Sequence, residues 1–238
     1  ELLDLVDRES YRVDIVDTIT DDRLKVESLK MFSRDLNKAK IIASIREEKL
    51  KYSLLDEISD ESKKVSIIIT LKQGTLIYDS ILKLDNEYNK AQVLINIDND
   101  DIKGKYLSLI ESDELKVNII NSMNDDLKKV SFIDLLSNDE FKIQVIVNIT
   151  GEQLRIDLFS TLENVESKFN ILVGIKNNDI KLNGLRIIPD YLNHMKIFFE
   201  KGFSTYAAPN GSIWTTYADK MMGRTIEYMC GEVDNNQY

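Results

Sequence analysis

Thirteen basic side chains recur at steps of thirteen residues, with one gap: Arg12, Lys25, Lys38, Lys51, Lys64, Lys90, Lys103, Lys116, Lys129, Lys142, Arg155, Lys168 and Lys181. Cations at a fixed pitch are the kind of array that takes one phosphate per step, as some helical repeats read RNA one base at a time. The acidic pairs Asp21–Asp22 and Asp125–Asp126, and the run Asp98, Asp100 and Asp101, offer oxygen ligands of the type hard cations use. They lack the glycine and terminal glutamate spacing of an EF-hand. His194 and Cys230 are the residue types of a Cys–His nucleophile pair, but nothing near either supplies an orienting partner or an oxyanion hole. Trp214, with Phe203, Tyr206 and Tyr217, could stack on a ligand; closing the end of a core is the reading preferred here.

Composition narrows these options. With 238 residues, 43% hydrophobic and 30% charged, the chain can bury one or two sizeable cores. One Cys excludes an internal disulfide framework, and one His excludes a two-histidine metal site. A net charge of −10 opposes broad capture of nucleic acid or anionic membrane. No apolar run approaches the roughly 20 residues that span a bilayer. Two prolines and nine glycines are too few for a loop-rich β protein. No cofactor and no catalysis are expected, and cysteine usage suits a reducing, cytoplasmic setting. The Lys/Asn/Asp/Ile-heavy vocabulary suggests an AT-rich genome; for an intracellular pathogen that setting would be the host cytoplasm.

The spacing of the cations belongs to the whole sequence. From Asp7 to Ile188 the chain divides into fourteen units of thirteen residues without insertion or deletion. TDDRLKVESLKMF, from Thr20, and ESDELKVNIINSM, from Glu111, show the pattern. With positions numbered 1 to 13, position 10 is apolar in every unit, from Val16 to Leu185, and so is position 13, from Ile19 to Ile188. Position 8 is always polar. Positions 1 to 3 carry Ser, Thr, Asn, Asp and Glu, which cap and charge helix N-termini. One continuous helix is excluded by phase, because thirteen residues at about 100° each overshoot three turns by about 220°. Helices of about ten residues must alternate with connections of about three.

The apolar positions cover an arc of about 200°, so each helix is buried on two sides. Position 6, the basic column, falls inside that arc. Its lysines therefore read as structural, with stems packed in the stack and ammonium groups on neighbouring helix ends. Position 3 is acidic in eleven units, and unit 6 loses both partners, with Gly74 and Ile77 in their places. In units 3, 7 and 10 the polar residue at position 5 (Asn37, Asn89, Lys128) follows an apolar residue at position 4 (Leu36, Tyr88, Leu127), and the apolar role is expected to move by one residue. Position 11 lies outside the arc, yet it is Ile69, Leu82 and Ile95 in three successive units, with Val147 and Val173 later. Apolar residues at a position that faces solvent mark a partner surface, or a local twist that turns them inward.

This arrangement resembles the α-solenoid class of armadillo, HEAT and TPR-like arrays over residues 1 to about 201. The unit is an unusual single helix of thirteen residues, and none of those families' signature residues is present. The expected fold is all-α: a right-handed-type α-solenoid of about fourteen short helices. Residues 1–201 form the repeat domain, with a truncated first unit, further repeats expected upstream, and a degenerate fifteenth unit at 189–201. Residues 202–238 form a loop and a capping helix from about Trp214 to Cys230. The resemblance implies binding of macromolecules over an extended surface. The expected function is a non-enzymatic scaffold that binds a protein or peptide, with Ile69, Leu82 and Ile95 as contacts and self-association as a variant. A targeting region of a larger effector or toxin-like enzyme is the alternative. Membrane insertion and nucleic-acid binding are disfavoured.

The position 10 column generates a direct test. Leu55→Ala or Ile120→Ala should lower unfolding free energy by about 2–5 kcal/mol through a core cavity. A loss below about 0.5 kcal/mol at both, by denaturant titration, would remove position 10 from the core.

Overall fold

The structure, a computed structural model, describes residues 6 and 8–188. The expected fifteenth unit, the loop, the capping helix, His194, Cys230 and Trp214 lie outside the described residues, as does the expected boundary at residue 201. Contacts divide the chain into two compact units, Glu1–Asn148 and Ile149–Tyr238. The first holds α1 (Glu9–Asp17), α2 (Asp22–Ser28), α3 (Asp35–Ser44), α4 (Glu48–Ser53), α5 (Glu61–Ile68), α6 (Gly74–Leu82), α7 (Glu87–Asn96), α8 (Asp100–Tyr106), α9 (Asp113–Asn121), α10 (Asp126–Phe132) and α11 (Asp139–Ile146). The described part of the second holds α12 (Glu152–Asp157), α13 (Val165–Val173) and α14 (Asn178–Ile187). Each repeat is one helix, and the described residues contain no strand. Within each unit the helices pack sequentially in an α-solenoid-like arrangement.

The connections are short because the backbone closes tightly. The position 13 amide donates back to the position 10 carbonyl, as in Ile45 to Ile42 (3.1 Å) and Met123 to Ile120 (3.0 Å). Position 13 then turns extended, as at Ile58 (φ −108, ψ 122), and buries its side chain. Neither conformation needs a left-handed residue, so the turns form without glycine or proline. All fourteen position 10 side chains are buried, and position 13 is buried in every unit except the first, where Ile19 is half-buried.

In the first unit the helices form two layers. Odd-numbered helices pack on one another from α1 to α11, and even-numbered ones pack as α4 on α6 and α8 on α10. Position 9 records the alternation. In the odd layer it is Ile15, Ile41, Ile67, Val93, Ile119 and Val145, all β-branched; in the even layer it is Ser28, Leu54, Ser80, Tyr106 and Phe132. The odd helices pack on one another more extensively than the even ones, and the small Ala39 and Ala91 are buried among them at position 7. In the even layer a Cβ at Gly104, also position 7, would overlap the Phe132 ring, so glycine is required there by close approach.

The position 3 acids cap a different helix from their own. The Asp22 carboxylate accepts the backbone N–H groups of Arg46 (3.0 Å) and Glu47 (3.0 Å), at the start of α4. Asp35 does the same for Ser59 and Asp60 (both 2.7 Å), and Glu48 for Lys72 and Gln73 (both 2.9 Å). Glu61, Glu87, Asp100 and Asp113 continue the series in the first unit, and Glu152 repeats it on Lys176 and Asn177 in the second. Each acid therefore ties its helix to the next in the same layer, 24 and 25 residues on. The helix's own first turn is capped from position 2, as by Asp60, Asn99 and Asn138.

This relay corrects the expectation for positions 4 and 5. Leu36, Tyr88 and Leu127 are exposed, whereas Asn37 is buried and Asn89 half-buried. The Asn37 amide donates to Glu9 (2.6 Å) and that of Asn89 to Glu61 (3.1 Å). In these two units position 5 donates to the position 3 carboxylate two repeats back, and in unit 10 Lys128 pairs instead with Asp101 (2.8 Å). No apolar role has moved.

The lysines complete the frame. In the even helices Lys25, Lys51, Lys103, Lys129 and Lys181 are buried. Lys25 donates to the carbonyl (3.1 Å) and hydroxyl (2.7 Å) of Ser44, at the end of the next helix. Lys51 reaches the Thr70 hydroxyl (2.8 Å), and Lys103 the Ser122 carbonyl (2.6 Å). An ammonium at a helix C-terminus is where the peptide dipoles favour it. Lys116 and Lys129 also pair with the acids of their own units, Asp113 (3.0 Å) and Asp126 (3.3 Å). In the odd layer Lys38, Lys64, Lys90, Lys116 and Lys142 are only half-buried. Burial pulls Lys51, Lys103 and Lys181 below the ordinary lysine range.

Unit 6 lacks both groups. Gly74 cannot cap α8, whose N-terminus is capped from its own Asn99 (3.1 Å). Ile77 stands in place of the cation, and Asn96, 19 residues on, donates to the Gln92 carbonyl of its own helix (2.8 Å). An aromatic clasp stands in their place. Tyr106 stacks on Tyr78 at 4.7 Å between ring centroids and donates its hydroxyl to the Gly74 carbonyl (3.3 Å).

The relay makes stability depend on acid. The Asp85 N–H holds Glu61 below the ordinary glutamate value of 4.5, and the Lys176 N–H does the same for Glu152. For Glu48 burial pushes upward, but the Gln73 and Lys72 N–H groups outweigh it. A carboxyl depressed in the folded state stabilises fully above its unfolded value and loses that contribution as pH falls through the folded one. The melting temperature should hold down to about pH 5 and fall steadily below about 4.5 as the relay protonates. A melting temperature flat from pH 6 to pH 3 would show that the relay contributes nothing.

Candidate interaction surface

Positions 4, 8 and 11 stand one turn apart on the outer face of each helix. The two layers of the first unit present different chemistry there. Across α4, α6, α8 and α10 the even face carries Asp56, Asp79, Asp101 and Asp134 with Lys49 and Lys105. Across α5, α7, α9 and α11 the odd face carries only two charges, Glu114 and Glu140. The remainder is hydroxyl, carboxamide and hydrocarbon: Ser62, Ser66 and Ile69; Tyr88, Gln92 and Ile95; Asn118 and Asn121; Gln144 and Val147.

Ile69 caps the C-terminus of α5 and is 38% exposed; Ile95 lies near the end of α7 and is half-buried. Because α5 and α7 are neighbours in the odd layer, the two isoleucines occupy the same register on adjacent helices. Leu82 is 51% exposed at the end of α6, in the even layer, so it does not join them. Two residues earlier on α5, Ile67 is fully buried, which fixes the orientation of the helix. Val147 continues the exposed column on α11, and Val173 is exposed on α13 of the second unit.

Three position 8 carboxamides were not singled out by the sequence reading. Gln92, Asn118 and Gln144 repeat every 26 residues on α7, α9 and α11, and their side chains have no hydrogen-bond partner among the described residues. Asn118 and Gln144 are exposed, and Gln92 is half-buried. Position 8 is polar in both layers, so the signal appears only when alternate repeats are read separately. Beside them the Asn121 amide donates to the Gln144 backbone carbonyl (3.2 Å), and its own buried Oδ1 has no hydrogen-bond partner among the described residues. Glu114 and Glu140, both exposed, also make no ion pair among the described residues.

The basic column does not form an open ladder. Its even members spend their charge on helix ends inside the stack, so an array of phosphate contacts is not on offer along them. Among the described residues no three His, Cys, Asp or Glu side chains group as a metal site. No helix there is long and apolar enough to cross a membrane. No family model, curated protein or solved structure matches the chain.

Proposed function

We propose that the chain is a non-enzymatic scaffold that docks a protein segment on the odd-layer face of its first unit. The supporting observation is the contrast between the layers from α4 to α11: there one outer face is charged in both signs, and the other is nearly free of charge and carries Ile69 and Ile95 in matched register. Neighbouring helices lie about 10 Å apart, so the two isoleucines could flank one inserted aliphatic side chain. The repeats set this spacing without taking part in the contact. Position 11 is Asp17, Asp56 and Asp134 elsewhere, so the fold tolerates a charge there.

A phage-displayed library of random peptides, selected on the 238-residue chain, tests this reading. Wild type should enrich a consensus, and Ile69→Asp combined with Ile95→Asp should abolish it. The same double variant should melt within a few degrees of wild type. Unchanged enrichment would move docking elsewhere, and no enrichment by wild type would end the reading. A collapse of the melting transition would show that position 11 belongs to the core here.

A further inference from the structure

We infer that the occupant of this face is an extended peptide, aliphatic toward one end and basic toward the other, held through its backbone by Gln92, Asn118 and Gln144. This rests on the docking reading above and adds the chemistry of the partner.

The carboxamides carry the first step. Each offers an acceptor and two donors in one plane, matching the alternating C=O and N–H of an extended main chain whatever its side chains. These three stand at one register on consecutive odd-layer helices and are uncommitted. Helices about 10 Å apart meet an extended chain in the polyproline II conformation, with three residues per turn and a rise of about 3.1 Å per residue, at the same face of every third residue. A segment of about nine residues would therefore cross from α5 to α11 and meet one carboxamide on each of the last three helices. A docked helix keeps its N–H and C=O groups for itself and could not use the carboxamides in this way.

Charge sets the polarity. Glu114 and Glu140, without ion-pair partners among the described residues, flank the α9 and α11 end of the track, and no cation occupies the outer positions of the odd helices α5, α7, α9 and α11. Ile69 and Ile95 mark the other end. A segment with Lys or Arg over α9 and α11 and an aliphatic residue over α5 and α7 complements both. The even face mixes signs and has no carboxamide at these positions from α4 to α10, so it offers neither half of the match.

The test uses a synthetic nine-residue peptide with two isoleucines near one end and two lysines near the other, titrated calorimetrically into the full chain. Three comparison peptides carry glutamates for the lysines, N-methyl groups on every third amide, or a scrambled order. The parent should bind best, and N-methylation or Asn118→Ala with Gln144→Ala should each weaken it about tenfold. Glu114→Lys with Glu140→Lys should reverse the preference toward the glutamate peptide. Asp79→Lys with Asp134→Lys, an equal change of charge on the even face, should not reverse it. If the parent binds through Ile69 and Ile95 but is indifferent to N-methylation and to both carboxamide substitutions, this inference is wrong and the docking reading survives. If either pair of lysine substitutions reverses the preference equally, attraction is only to net charge and the inference is again overturned. If the parent does not bind at all, the inference falls, and the library selection alone decides the docking reading.

Discussion

A carboxylate that accepts the backbone N–H groups of the helix two repeats ahead is the contact on which this architecture depends. Helices of six to ten residues are marginal by themselves, and each begins with N–H groups that have no intrahelical partner. A stack of such helices has many ends for its length. Satisfying those ends from a neighbour turns a liability into a joint. Two charge-assisted bonds from Asp35, Glu48 or Asp100 fix both the spacing and the register of helices within a layer. The buried lysines act across the layers, from the sixth position of one even helix to the C-terminus of the next. The acid secures one end of a helix and the lysine the other. This explains why the thirteen-residue frame admits no insertion: one added residue would misalign both contacts for two repeats in each direction.

The exception follows the same logic. Where Gly74 and Ile77 remove both polar joints, α6 is held by apolar burial and, to its even-layer neighbour α8, by the Tyr78–Tyr106 clasp with its hydrogen bond to the Gly74 carbonyl. Ser80, fully buried there, has no partner for its hydroxyl among the described residues. An aromatic pair fills volume and reaches one carbonyl, but it cannot reproduce two directed bonds. The junction around α6 is thus built from different chemistry, and it lies between the two helices that carry Ile69 and Ile95.

Much of this was readable from residue types alone. The period, the one-helix units and the buried positions 10 and 13 follow from apolar spacing, because burial over so many units leaves a pattern that polarity reports directly. The destination of the polar groups was not readable. An Asp at position 3 satisfies the ordinary rules for capping its own helix, and only the geometry of the stack reveals that it caps another. Asn37 misled for the same reason: a buried amide bound to Glu9 looks, in sequence, like a missing hydrocarbon. The layers were hinted at by irregular alternation, yet the β-branched residues at position 9 and the free carboxamides at position 8 emerge only at a period of 26.

The face offered for docking is a by-product of this construction. The principal joints lie at helix ends and inside the stack, and the outer positions make fewer contacts, such as the Asp56–Lys83 and Asp101–Lys128 pairs (both 2.8 Å), so the two layers can differ in charge. The central claim remains the trans cap, and amide hydrogen exchange on Glu61→Ala tests it most directly. Loss of the Glu61 carboxylate should accelerate exchange at Asp85 and Asn86, 24 and 25 residues away, by roughly tenfold or more, while the first turn of α5 from Ser62 to Lys64 keeps its protection. Acceleration confined to residues 62–64, with Asp85 and Asn86 unchanged, would show that the acid serves its own helix and would contradict the account.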